Sequence, residues 1–300
     1  FRRVLFRSRL VGSVPIAWAL PQSTWPSIAR SASWLGAKLT GKTTASVAAR
    51  MKRALGDEGD AKAERLAADL RGARYEVALQ CLRGYRPGGW HPRIVLQGRE
   101  HLDEALGRGK GCVLWVAHFV FAPNIAKLAL HDAGYKVSHL SRPDHGFSST
   151  RFGIKWLNPV RSRFEDRLLA ERIVFDRAHP APALMRARKA VARNGIVSFT
   201  AGAWEGASVV EARFLGSRIV LAQGPVWLAR SSHAVLLPVF AVRTKAPDEF
   251  AVEIGRPIDT RAGATEPQNH AEATRQFLAG HDKWIEKFPG QWRGWSSLQD

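Results

Sequence analysis

The sequence predicts an α/β fold, a mainly parallel central sheet flanked by helices, with helical extensions at both ends. Three observations carry this reading. Between residues 93 and 255, short runs of β-branched and aromatic residues alternate with stretches of helical spacing, the order that builds parallel sheets covered on both faces. The apolar run Cys112-Val-Leu-Trp-Val-Ala117 reads as a strand and is soon followed by a helix, with Pro123 suited to its first turn. Finally, 300 residues with 45% hydrophobic content, 11 Trp and 14 Phe can bury a sizeable core, which argues against a disordered chain.

Each element follows in order. The run Arg2 to Ser8, RRVLFRS, resembles the translation of a sequencing adapter, so native sequence is expected from near Arg9 and residues 1–8 are expected to be an artefact. Residues 10–29 are uncharged but broken by Pro15, Pro21 and Pro26, which disfavours an unbroken spanning helix. No acidic side chain occurs before Asp57, while basic residues and Trp18 and Trp25 interleave. That composition suits a membrane interface, or equally a truncated helical region with a basic solvent face. Residues 60–85 have helical spacing and stop at Gly84 and Pro87.

Strands are predicted at Ile94–Gln97, Val113–Ala117, Lys136–Leu140, Ile196–Phe199, Val209–Phe214, Val235–Val242 and Phe250–Ile254. Helices are predicted at Ile125–Ala133, Pro182–Arg193 and Leu221–Arg230, with a final helix from Asn269 to Lys287 before a Trp-rich tail. The expected organisation is therefore a basic region over 1–90, an α/β core over 91–260 and a helical end over 261–300.

The charge is lopsided: 45 Lys and Arg against 26 acidic residues, a net +19, favour anionic partners. Nucleic acid is disfavoured, because the basic residues are dispersed and no helix-turn-helix, RNP or zinc-finger pattern occurs. Cys81 and Cys112 are far apart, so neither a disulfide framework nor a metal site is expected. No GxSxG elbow, P-loop or HExxH motif is present. Gly107-Arg-Gly-Lys-Gly111 precedes a strand and reads as a turn, not a dinucleotide site.

His118 follows the strand at 112–117, which places an imidazole at the carboxyl edge of a parallel sheet, where ligand crevices form. There it could take a proton from a hydroxyl near neutral pH, or serve only as a hydrogen-bonded structural histidine. Arg142 and Arg243 stand at or near strand ends, suited to a phosphate or carboxylate clamp or to surface ion pairs. Arg188 belongs to a basic helical run with Arg186, Lys189 and Arg193, read as a solvated face or a contact for an acidic carrier or lipid headgroup. Trp284, Trp292 and Trp295 suggest packing, with an interfacial anchor as the alternative.

From about Arg93 to Trp295 the chain resembles the bacterial lipid A biosynthesis acyltransferases, of the lysophospholipid acyltransferase superfamily. The resembling segments come in the family's order: Gly98-Arg-Glu-His-Leu102 with Gly107-Arg-Gly109, then Val116-Ala-His-Phe119 and Leu140-Ser-Arg-Pro143. They continue with Arg213-Phe-Leu-Gly216, Gly224-Pro-Val-Trp-Leu-Ala229, Leu237-Pro-Val-Phe240 with Arg243, and Phe288-Pro-Gly-Gln-Trp292. The resemblance implies a glycerolipid acyltransferase-like fold and a histidine–carboxylate pair separated by four residues, the acid orienting the ring.

Here the chain departs from the pattern. Pro123 stands at the acidic position; with a one-residue insertion Asn124 takes it, and an amide carries no charge to balance an imidazolium. A second acidic position is also missing at Thr200-Ala-Gly-Ala203, where Glu205 is the nearest substitute. The resemblance implies transfer of a fatty acyl group from an acyl carrier protein or acyl-CoA to a hydroxyl of an anionic membrane lipid or glycolipid, with His118 as general base. No metal or cofactor is implied, and the cytoplasmic face of a bacterial inner membrane is the expected place. Loss of the acid supports a rival reading, a catalytically impaired member that binds lipid or a partner protein.

Overall fold

In the computed structural model, which describes residues 12–40, 44–56, 60–147, 150–202 and 208–299, the apolar runs form a seven-stranded sheet. Its strands are β1 (Arg93–Gln97), β2 (Cys112–Val116), β3 (Val137–Ser141), β4 (Glu171–Val174), β5 (Ile196–Thr200), β8 (Val235–Arg243) and β9 (Glu249–Ile254). The intervening β6 (Val209–Phe214) and β7 (Ser217–Ala222) form a separate antiparallel hairpin. Spatial order is β1-β9-β8-β2-β5-β3-β4; five neighbouring pairs are parallel and β8–β9 is antiparallel. Both faces are covered, so β2 and β3 are buried at every position, whereas the edge strand β1 alternates. Hydrophobic runs, not alternation, therefore mark the central strands.

The helices are α1 (Trp25–Thr40), α2 (Ala45–Leu55), α3 (Asp60–Arg83), α4 (Arg99–Gly107), α5 (Ala122–Asp132), α6 (Asn158–Asp166), α7 (Ala181–Ala192), α8 (Gly224–Ser231), α9 (Glu266–Ala279) and α10 (Asp282–Lys287). Residues 12–19 are also helical. Trp25 is fully buried against Leu79 and Leu82 of α3, with the Arg83 guanidinium 4.9 Å from its ring centroid. Among the described residues no helix is long and apolar enough to cross a membrane.

Gly98 (φ 73°) precedes α4, and a Cβ there would fall 1.9 Å from the Ile254 carbonyl oxygen. Gly111 (φ 69°) faces the Val191 carbonyl oxygen just as closely, at 2.4 Å, so the chain turns into β2 only with glycine. Several expectations need correction. Leu221 and Ala222 belong to β7, and α8 starts at Gly224. Arg213-Phe-Leu-Gly216 becomes the hairpin turn, Leu215 and Gly216 both having positive φ as a type I′ turn demands. The final helix is two, α9 and α10, divided at Gly280, where a Cβ would press on the Phe240 ring at 2.7 Å. Helix α9 starts with a capping box between Thr265 and Gln268.

The tryptophan tail is core, and the anchor reading fails for it. Trp292 and Trp295 meet edge to face at 5.0 Å, both buried, and the Trp295 indole N–H donates to the Pro289 carbonyl at 2.8 Å. Trp284 is buried with them. On the sheet, Trp115 stacks on Phe277 of α9 at 4.0 Å.

Candidate active site

His118 lies just past β2, where the backbone leaves the sheet. The Ala117 amide still donates to Val239 of β8 (2.8 Å), and the Ala201 amide donates to Val116 (2.7 Å). The next groups are held by the C-terminal segment. The Arg293 amide donates to the His118 carbonyl (2.9 Å), the Val120 amide donates to the Gln291 carbonyl (2.8 Å), and Phe119 pairs with Trp292. Gln291 also makes two side-chain bonds to the backbone of Arg243, both 2.8 Å, tying this clamp to the end of β8. The Pro-Gly-Gln-Trp segment thus fixes the histidine loop, a role that needs its glutamine and its extended tryptophan.

The His118 ring faces a cavity of about 390 Å³ at the carboxyl ends of β2, β3 and β5. Four guanidiniums line it: Arg74 from α3, Arg142 from the loop after β3, Arg161 from α6 and Arg293 from the tail. No carboxylate is among its described lining residues. The imidazole is pushed well below its ordinary range, first by burial and then by Arg293, Arg74, Arg142 and Arg161. Arg293 is itself pushed below its ordinary value by burial and the neighbouring guanidiniums, and its Nε is a buried donor with no acceptor among the described residues. An anion in the cavity would relieve both.

The anticipated site residues are only partly brought together. His118 and Arg142 share the cavity, Arg142 lying 3.6 Å from Asp144 at its rim. Asn124 does not orient the His118 ring. It is fully buried against α3, its amide donating to Gln80 Oε1 (3.2 Å) and Cys81 Sγ (3.4 Å). Arg243 is outside the cavity, in a buried ion pair with Glu76 and 4.8 Å from the Phe121 ring centroid. Arg188 is exposed on α7, as are Arg186, Lys189 and Arg193, and Arg186 donates to Glu171 at 2.7 Å. That run is exposed to solvent, as either reading of it requires. Glu205 lies outside the described residues.

The structure adds residues that sequence reasoning missed. Two further histidines, His139 and His145, line the same cavity. His139 Nδ1 is 2.8 Å from Ser198 Oγ, and burial pushes it well below its ordinary range. His145 Nε2 lies 3.0 and 3.1 Å from the two carboxylate oxygens of Glu165. The only local cue was the Asp144-His-Gly146 turn following the Leu140-Ser-Arg-Pro143 segment. Arg74, Arg161 and Arg293 come from segments far apart in sequence, so no spacing exposes them.

A second, apolar hollow of about 490 Å³ adjoins the first, sharing Leu140, Thr200 and Gly202 with it. Trp115, Phe175, Leu184, Phe199 and Trp227 contribute to its wall, with Glu266 and His270 also on the lining. A cationic cavity carrying imidazoles thus lies beside an apolar slot. The model of the bacterial lipid A biosynthesis acyltransferase family matches residues 14–295. The chain belongs to that family, and is an acyltransferase of lipid metabolism. Among solved structures it is similar to the 1-acyl-sn-glycerophosphate acyltransferase PlsC from Thermotoga maritima, at 10% identity and a TM-score of 0.38, covering 78% of this chain and 87% of that one. No curated protein sequence matches it.

Proposed function

We propose that the protein transfers a fatty acyl group from a thioester donor to a hydroxyl of a phosphate-bearing membrane glycolipid, a step of the lipid A type. One observation carries the reading: four guanidiniums and no described carboxylate line the cavity beside His118. Such a ring suits the charged head of a phosphorylated acceptor, because guanidiniums bind phosphate bidentately and their mutual repulsion falls when the anion enters. The adjoining apolar slot suits the acyl chain, and Thr200 and Gly202, common to both hollows, mark where the thioester carbonyl would meet the hydroxyl. The hydroxyl loses a proton, its oxygen attacks the carbonyl carbon, and the tetrahedral oxyanion collapses with cleavage of the C–S bond. His118, held by the Gln291–Arg293 clamp, acts at this centre.

The net charge of +19 favours encounter with an acidic acyl carrier protein over a neutral donor, chiefly through association rate. It also favours the cytoplasmic face of an inner membrane, where anionic lipid attracts basic surface.

The test compares lauroyl transfer to a phosphorylated glycolipid with transfer to the same glycolipid after dephosphorylation, supplying the donor as acyl-CoA and as acyl carrier protein thioester. The phosphorylated acceptor should be preferred, and Arg74→Ala with Arg293→Ala should lower that preference roughly ten- to hundredfold, the scale of losing charged hydrogen bonds. Equal kcat/KM for both acceptors would discard phosphate recognition. No transfer to either, with glycolipid binding intact, would leave a lipid-binding protein.

A further inference from the structure

The three imidazoles on the cavity differ in what stands behind them. The charged groups that act most on His118 are guanidiniums, and His139 has a hydroxyl. His145 alone has a carboxylate. The difference bears on catalysis, because a general base becomes positively charged as it works, and a carboxylate behind the ring stabilises that charge and fixes the tautomer.

One helix builds this arrangement. Asn158, at the start of α6, grips the loop on both sides of His145: its side-chain N–H donates to the Asp144 carbonyl (2.8 Å), and its Oδ1 accepts from the Phe147 amide (2.8 Å). Gly146 lets the two approach, since a Cβ there would fall 2.2 Å from Asn158 Cγ. Two turns along the same helix, Glu165 is fully buried beneath the ring. Its carboxyl is held well below the usual range: burial alone would raise it, but Lys127, His145 and Arg161 outweigh that.

A purely structural cluster accounts for part of this. Lys127 (2.5 Å), Arg161 (2.7 Å) and Arg172 (3.6 Å) already surround Glu165 and staple α5, α6 and β4 together. It does not account for His145, a fourth partner whose side chain remains 18% exposed and opens onto the cavity. With Nε2 committed to Glu165, Nδ1 is the nitrogen left to meet a substrate.

We propose that His145, oriented by Glu165, is the general base of the acyl transfer, and that His118 donates a hydrogen bond to the developing oxyanion. The assignment rests on the acyl-transfer reading above. The acceptor O–H bond breaks and its proton moves to His145 Nδ1 while the oxygen bonds to the thioester carbonyl carbon. The C–S bond then breaks, and the departing thiolate takes the proton from Nδ1, leaving an ester, a free thiol and a neutral ring. His118 suits the donor role because a neutral imidazole polarises a carbonyl through its N–H, and burial, reinforced by the surrounding guanidiniums, keeps it neutral. His145 is also below its ordinary value, first through burial, with Glu165 opposing and Arg161 and Lys127 reinforcing, so it is neutral and ready to accept near pH 7.

The experiment compares His145→Gln, which keeps an N–H donor for Glu165, with His145→Ala and His118→Ala, all in the full chain. His145→Gln should lower kcat about 10²–10⁴-fold, the range of general acid–base catalysis, with KM and the melting temperature nearly unchanged. Added imidazole should restore part of the activity of His145→Ala and none of that of His118→Ala. The parent kcat/KM should fall as pH drops through the base's pKa, because only the neutral ring accepts a proton. That acidic limb should persist in His118→Ala and vanish in His145→Ala. Around His145 the charged neighbours are Glu165, Lys127, Arg161 and Arg172, with His139 nearby. Activity of His145→Gln within threefold of the parent, or imidazole rescue confined to His118→Ala, overturns the assignment. A parent that transfers from no thioester overturns the acyl-transfer reading itself, and this assignment with it.

Discussion

The two hollows that meet at Leu140, Thr200 and Gly202 are similar in size and opposite in character. One gathers four guanidiniums and three imidazoles; the other is walled by tryptophan, phenylalanine and leucine. The cationic hollow sits where loops leave β2, β3 and β5, and its charged residues arrive from two helices, a loop and the C-terminal segment. The apolar slot is bounded by the sheet face and by the starts of α7, α8 and α9, whose inward residues are part of the core. Charge collects where the backbone is irregular, and chain-binding surface is carved from regular packing. The division predicts that substitutions in the first hollow change chemistry and headgroup choice, while those in the second change chain length.

After His145, the largest effect expected from this division is at His118. Replacing it with alanine should lower turnover about 10²–10³-fold, the loss typical of an oxyanion donor, without weakening glycolipid binding. Asn124→Asp, which restores the acid suggested by family resemblance, should not compensate. The new carboxylate would be buried against the Gln80 side-chain oxygen and the Val77 carbonyl, two acceptors that cannot donate to it. A loss of more than about 2 kcal/mol in a denaturation experiment is expected, on the scale of an unsatisfied buried polar group. A rise in activity for Asn124→Asp would show that α5 rotates to serve His118 and would undo the separation between Asn124 and the cavity.

Much of the fold was legible because central parallel strands leave an unmistakable apolar run, as at Cys112–Val116. The terminal positions of seven strands shifted by only a residue or so. Strand β4 was not legible: its four residues, Glu-Arg-Ile-Val, include two charges whose partners, Asp166 and Arg186, lie elsewhere. Helix α6 escaped for a similar reason, since its buried face carries Asn158, Arg161 and Glu165 in place of aliphatic residues. The site divides in the same way. His118 was visible because one strand announces it. His145 was not, because its importance comes from Glu165, twenty residues later and paired through space. The family pattern also pointed to Asn124, which matches it only with a one-residue insertion and whose side chain turns to α3.

A milder effect should come from filling the slot. Leu184→Trp places a larger ring in its wall, shortening the space for an acyl chain. Each methylene excluded forfeits about 0.8 kcal/mol of burial, close to fourfold in kcat/KM for long donors, while short donors should be unaffected. Equal losses across a series of acyl-CoA chain lengths would show that the slot does not hold the chain and would collapse the contrast between the two hollows.

The smallest effect concerns how the protein meets lipid. With Trp292 and Trp295 buried, the exposed apolar side chains are elsewhere: Trp34 (59% exposed), Leu35 and Leu39 on α1, and Trp156 (60%) before α6. Lys38 lies 4.1 Å from the Trp34 ring centroid and Lys155 5.4 Å from that of Trp156, so each indole comes with a cation, the pairing suited to an anionic interface. Binding to anionic vesicles should therefore exceed binding to neutral ones and weaken as salt screens the charge. Trp34→Ala should reduce partitioning by about fivefold, corresponding to roughly 1 kcal/mol for an indole only partly withdrawn from water. Trp295→Ala, by contrast, should cost about 3–5 kcal/mol of stability and leave partitioning of the folded protein unchanged. Equal binding to neutral and anionic vesicles at low salt would remove the electrostatic contribution. Unchanged binding of Trp34→Ala would remove α1 from the contact face and leave Trp156 as the residue to vary next.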